Sequence, residues 1–350
     1  MQIVNLLHFQ FLVFTMNKKN FYILIGLLPA IFPSLTNAQN TNQASEIAKE
    51  IFGPRMIKDE AYGAYQRGQY LTALALALPR AEAGDAAAQT LIAEIYINGL
   101  GVARNPALAS RWYGIADEGG DVSATFALAL LYQQGLGVPK NRERATQLFK
   151  KAAAKNHREA KYNLALLHIE GIYAEPNLIK AAQLLKEAAS AGLAEAQYDY
   201  GLILFEGAGI APNPKEGAKQ IKLAANAGLS AAQVEYATLL YLGKGIDRNL
   251  EQSIIWYKEA ANAGNPVAQN RLAKLYAVGE GVEKDLIVAA MWRSLARSNG
   301  LNDSATDKLL KGISQDELKI AQERARFWPQ AVPENKASEP SKKIQRQTNK

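Results

Sequence analysis

A strict period constrains this chain more than any other feature of its sequence. One 36-residue pattern returns without slipping at Gly84, Gly120, Asn156, Gly192, Gly228, Gly264 and Gly300. The stretch from Gly228 to Ala263, GLSAAQVEYATLLYLGKGIDRNLEQSIIWYKEAANA, shows the unit most plainly. A fixed interval of this size belongs to stacked supersecondary units, each of which buries its apolar face only against its neighbours. The period therefore overrides the chain length, 350 residues, which alone would predict about two domains.

Each unit reads as two amphipathic helices joined by a glycine turn. The first position follows an apolar helix and must pass through a left-handed conformation, which glycine and, next best, asparagine allow. Asn156, the one departure, is thus the tolerated one. Alanines recur at Ala88, Ala124, Ala160, Ala196, Ala232 and Ala268, which predicts close backbone approach there. Ile92, Ile95 and Tyr96, echoed by Leu128, Leu131 and Tyr132, form one helical stripe. The first helix stops at Gly99, Gly135, Gly171, Gly207, Gly243 or Gly279, usually with a second glycine two residues later. Asn105, Asn141, Asn177, Asn213, Asn249 and Asp285 then predict the N-caps of the second helices, with Pro106 and Pro214 at first helical positions. Bulky apolar residues follow, as in Trp112-Tyr113 and Trp256-Tyr257, before Ala116, Ala152, Ala188, Ala224, Ala260 and Ala296.

Alanine-glutamine, the Leu-Leu-Tyr segment, the G-x-G turn, the Asn or Asp cap and A-A-x-x-G together resemble the Sel-one-like repeat (SLR) family, a branch of the tetratricopeptide (TPR) superfamily. The resemblance covers 84–299 as six units. It implies an all-α, right-handed α-α superhelix of helical hairpins with first helices lining the concave wall. The third unit departs from the pattern, with Tyr173 for the second glycine and His168 for the usual tyrosine or leucine; its loop is expected to be reshaped.

The ends read differently. Lys18 and Lys19 precede an apolar run from Phe21 to Leu35, and Thr36-Asn37-Ala38 offers a small-residue cleavage site. Residues 1–38 are expected to be a signal peptide, with Met16 as the start and cleavage after Ala38. Residues 39–55 read as a flexible lead-in. Residues 56–83 resemble a TPR-like N-terminal capping hairpin, 300–328 form C-terminal capping helices, with Ser314 and Glu317 as a capping box, and 329–350 a disordered basic tail. Net charge is +7. The two leader lysines and a tail with five basic residues against two acidic ones account for most of it. A nearly neutral body argues against nucleic acid as a partner. The chain has no cysteine, so disulfides and thiol nucleophiles are excluded.

No catalytic, cofactor or metal constellation stands out. The G-x-G turns follow helices, not strands, so they lack the context of a dinucleotide fingerprint. His157 and His168 have no metal-ligand partners at a useful spacing; His157 sits at a cap position and His168 at a core position. The first helices carry outward positions equivalent to Leu91 and Asn98. In the middle units these are Asn163, Glu170, Asp199, Glu206 and Glu235, with Glu159 and Glu195 nearby: an acidic ribbon suited to Lys or Arg of a partner, or else a solvated face. A flank of Phe126, Tyr162, Tyr198, Phe205 and Tyr241 offers either interface anchors or packing between units. The expected function is a non-enzymatic, periplasmic scaffold that binds a protein or peptide and, once the signal is cleaved, has no stable membrane insertion. The resemblance also admits a periplasmic negative regulator of an envelope sensor kinase. A cell-wall or β-lactam-modifying enzyme is a further alternative that the residues do not support.

Overall fold

The computed structural model of the protein describes residues 59–171 and 175–329. The leader, the lead-in, the tail and the centre of the third unit's loop, including Tyr173, lie outside the described residues. Sixteen helices and no strand occur among those described, all in a unit that begins at Glu60. They are α1 Glu60–Gln66, α2 Tyr70–Glu82, α3 Ala86–Asn98, α4 Pro106–Glu118, α5 Val122–Gln134, α6 Arg142–Ala154, α7 Arg158–Glu170, α8 Leu178–Ser190, α9 Ala194–Glu206, α10 Pro214–Asn226, α11 Ser230–Leu242, α12 Leu250–Asn262, α13 Pro266–Val278, α14 Leu286–Ser298, α15 Ser304–Leu309 and α16 Gln315–Phe327. From α1 to α14 every helix packs on the next in chain order, which is how a solenoid of helical hairpins grows.

Helices α3 to α14 have 13 residues each, and equivalent helices begin 36 residues apart. The capping residues fix these lengths. In every second helix the predicted Asn or Asp side chain accepts from the backbone N–H three residues on, worth ~1 kcal/mol each. The backbone N–H of the same residue donates back to the first helix, from Asn105 to Tyr96 at 2.8 Å through to Asp285 and Tyr276 at 3.0 Å. This bond closes the turn in all six units, and the third keeps it between Asn177 and His168 at 3.1 Å. Each first helix ends at the predicted glycine in the left-handed region. Asn156, φ 65°, is the single non-glycine residue with positive φ among the described residues.

The small residues mark where backbones meet. Ala124, Ala160, Ala196, Ala232 and Ala268 are fully buried, as are Ala116, Ala152, Ala188, Ala224, Ala260 and Ala296. The second turn glycine is a joint between units. A Cβ on Gly209 would lie 2.4 Å from the Leu178 carbonyl carbon at the start of the preceding second helix. A glutamine supplies a further tether: the amides of Gln89, Gln197, Gln233 and Gln269 donate to the carbonyls of Ala81, Ala189, Ala225 and Ala261 in the last turn of the helix before. These carbonyls also accept from the turn glycines Gly84, Gly192, Gly228 and Gly264, so the glutamine amide takes their second lone pair and ties the next first helix to the turn.

The buried side chains run along the stack as successive clusters. At the C-terminal end the rule of the units changes, because α16 packs along α14. Trp292 meets Trp328 edge to face at 4.8 Å. Arg293 is buried, with its guanidinium on Asp307 at 2.7 and 3.2 Å and on the Leu301 carbonyl at 2.7 Å. Helix α16 starts at the capping box expected of Ser314 and Glu317.

Candidate interaction face

The side of each first helix not taken up by packing carries two rows of residues. The row through Asn98, Gln134, Glu170, Glu206, Leu242 and Val278 is exposed in every unit. The row through Leu91 is not. Leu91 is buried, Ala127, Asn163, Asp199 and Glu235 are half-buried, and only Arg271 is exposed. The sequence pattern alone puts both rows outward, and the structure separates them. The reason is the neighbouring first helix: the Tyr162 hydroxyl reaches across from α7 and donates to the Asp199 carboxylate on α9 at 2.9 Å.

That contact sets the electrostatics of the row. Burial pushes the Asp199 carboxyl up to about 6, helped by the Glu195 charge and opposed by the Tyr162 hydrogen bond. Burial, then the Asp199 charge, raises the Tyr162 phenol. The Tyr198 phenol is raised by burial and by the charges of Glu235 and Asp199. Burial also raises Glu235, with Lys244 and Arg271 holding it back.

Around this inner row the remaining polar groups divide in two. Asn163 turns onto its own helix and donates to the Glu159 carbonyl at 2.8 Å. Burial draws the Glu159 carboxyl up, but the Arg158 guanidinium at 2.8 Å outweighs it and holds the group low. Glu170, Glu195 and Glu206 are exposed and take no hydrogen bond or ion pair among the described residues. The structure thus joins Tyr162 to Asp199 and leaves three carboxylates open.

The aromatic flank links unit to unit. Phe126 stacks on His157 of the next unit at 4.6 Å. Tyr241 donates to Glu280 of the next unit at 2.8 Å. His157 caps α7 through Nδ1, which accepts from the Ala160 N–H at 3.3 Å, so it must be neutral on that nitrogen, and burial, its main influence, lowers its pKa accordingly. His168 is half-buried, with Nδ1 2.9 Å from the Glu175 carbonyl oxygen. Among the described residues no three His, Asp or Glu side chains converge as metal ligands would, and no helix is long and apolar enough to cross a membrane.

Comparison with known proteins accounts for the frame that carries this face. The Sel1 repeat model matches six consecutive segments, 86–121, 122–157, 158–193, 194–229, 230–265 and 266–301. The chain belongs to the Sel1 repeat family. The crystal structure of a Sel1 repeat protein from Oxalobacter formigenes is 31% identical, with a TM-score of 0.62, over 69% of this chain and 97% of that one. A second similar structure is c5321, a protective antigen present in uropathogenic Escherichia coli strains that displays an SLR fold. It is 25% identical, with a TM-score of 0.53, over 80% of this chain and 69% of its own. No curated protein matches.

The matched segments number the Sel1 repeats from 1 to 6, with first helices α3, α5, α7, α9, α11 and α13. Sequence reasoning missed what the face becomes in Sel1 repeats 5 and 6. The exposed row there turns apolar, at Leu242 (59% exposed) and Val278 (52%), with Val267 (42%) on the same side of α13. Arg271 stands between Val267 and Val278, exposed and without a hydrogen bond or ion pair among the described residues. Lys274, one turn on, is already paired with Asp303 at 2.8 Å. The signal was present: continuing the Leu91 and Asn98 registers one more period lands on Arg271 and Val278.

Proposed function

We propose that this Sel1 repeat protein is an exported, non-enzymatic interaction scaffold. It holds a protein or peptide partner on its first-helix face in the bacterial periplasm. The observation that carries this reading is the set of open carboxylates, Glu170, Glu195 and Glu206, at the edge of a row in which Asn163 and Asp199 are satisfied internally. A Lys- or Arg-bearing segment complements such a surface and is steered to it. The rigid repeated frame supports the reading, because it presents those groups at a fixed spacing with little ordering cost on binding. Export rests on the charged and apolar segments that precede Gln39.

The test has two parts. Cell fractionation with N-terminal sequencing is expected to find the mature chain in the periplasm, starting at Gln39. Affinity capture from that fraction is expected to recover a partner that is released by salt and lost with the Glu195→Lys/Glu206→Lys pair. Recovery unchanged by the pair and by salt would contradict the scaffold assignment.

A further inference from the structure

We infer that the partner is bipartite. It is a protein segment with an apolar pair seated on Leu242 and Val278, a carboxylate on Arg271, and a basic residue reaching back to Glu206. This deepens the scaffold reading and rests on it.

Three observations converge. First, Leu242 and Val278 end equivalent helices in adjacent repeats, and both are more than half exposed. Cross-links hold those ends together: Tyr241 donates to Glu280 at 2.8 Å, and Arg248 pairs with Glu280 at 3.5 Å. The two apolar side chains therefore lie on neighbouring parts of one surface. Second, Arg271 is an exposed cation with no hydrogen bond or ion pair, while the adjacent Lys274 is neutralised by Asp303. The Arg271 charge is felt by Glu235 on α11, but its donors are unused; a guanidinium with open donors beside apolar side chains is a recurrent interface anchor and matches a carboxylate in geometry as well as charge. Third, two repeats back, Glu206 is an unpaired anion on the same exposed row as Leu242 and Val278.

The order of these features fixes the order of the partner's. Neighbouring first helices are spaced by ~10 Å, so the equivalent positions Glu206, Leu242 and Val278 span ~20 Å, and Arg271, seven residues before Val278 on α13, lies ~10 Å back along that helix. An extended chain covers ~3.3 Å per residue, so a segment running from Glu206 past Leu242 and Val278 to Arg271, ~30 Å in all, has its acidic and basic positions about nine residues apart with the apolar pair between them. A wholly basic segment would place like charge against Arg271 and lose affinity there.

Four fluorescent 12-residue peptides on a Gly-Ser background test this against the full mature chain by anisotropy. Two carry Glu, a Leu pair and Lys at that spacing, one in each chain direction. The third has Lys in place of Glu, and the fourth has Ser in place of both Leu residues. One of the first two is expected to bind about tenfold tighter than either control, the loss typical of a single interface anchor. Leu242→Ser with Val278→Ser should remove that advantage, and Arg271→Glu should transfer preference to the all-basic peptide. Ile255→Ser, at a comparably exposed apolar position on the second helix α12, should change nothing. Circular dichroism confirms that each variant is folded. Equal binding of the all-basic peptide, indifference to the Leu242 and Val278 changes, or no binding by any peptide overturns the bipartite partner. If the all-basic peptide binds equally and is lost with Glu195→Lys/Glu206→Lys, the scaffold stands and only the bipartite ligand falls.

Discussion

Repeat 4 and repeat 6 have helices of equal length at equal spacing; each first helix ends at a left-handed glycine, Gly207 or Gly279, and each second helix starts at an Asn or Asp cap, Asn213 or Asp285. Their faces are nevertheless opposites. Repeat 4 shows Glu195, Asp199 and Glu206 where repeat 6 shows Val267, Arg271 and Val278. The exchange leaves the frame intact because the frame is held elsewhere: by buried alanines, by the Asn or Asp caps and by the glutamine tether. The comparison teaches that a few positions per repeat specify the fold, and that the exposed row is left free to specify a ligand.

The largest test of that division strikes the joints. Gly209→Ala in repeat 4 adds a Cβ to a residue with φ 76° whose neighbour is the Leu178 backbone, which cannot move aside. Gly281→Ala in repeat 6, φ 71°, meets the flexible end of the Ile254 side chain at 2.8 Å. The first is expected to cost roughly 3 kcal/mol or more and the second about 1–2 kcal/mol. Urea unfolding of both variants measures the gap. Equal losses would mean that the two joints are not set by what each glycine touches.

A smaller effect separates the inner rows. The folded Asp199 carboxyl keeps its proton up to about pH 6, whereas an unfolded aspartate releases it near pH 4. The folded state therefore binds more protons across this window, and the wild type loses stability as pH rises through it. Asp199→Asn removes that loss, and Asn can still accept from Tyr162. It should gain on the order of 1 kcal/mol at pH 7 and little at pH 4. Arg271→Gln, at the equivalent position of repeat 6, should show the opposite sign: it removes a cation that holds the buried Glu235 carboxyl down, so the variant loses stability relative to wild type as the pH rises. Thermal unfolding across the pH range decides; a pH-independent Asp199→Asn would show that Asp199 is not desolvated.

The smallest effects are expected on the open row itself. Glu206→Lys and Leu242→Ser remove no hydrogen bond and open no cavity, so each should stay within about 0.5 kcal/mol of wild type in the same unfolding experiment. A larger cost at either would assign that residue to the frame and weaken its claim as a ligand contact.

How much of this was legible follows from which residues act locally. Turn glycines and caps act within one or two turns, so their spacing alone located the helices, and even Asn156 and His157 could be read from their register. The shape of the face depended on contacts between repeats. Nothing local to Asp199 says that Tyr162, 37 residues earlier, covers it. Leu193 and Leu229 start α9 and α11 with no side-chain cap bond, and no local rule predicts those starts; the period does. The apolar end of the face escaped notice for another reason: a search for charge stops where charge stops, at Glu235, although the register continues.

Site-specific photocrosslinking in intact cells tests the central claim most directly. A photoreactive residue is placed in turn at Glu206 and Leu242 on the first helices and at Ile179 and Ile255 on the second. The account predicts one and the same protein captured from both first-helix positions and from neither second-helix position. Capture of that protein from Ile179 or Ile255 as efficiently as from Leu242 would contradict it.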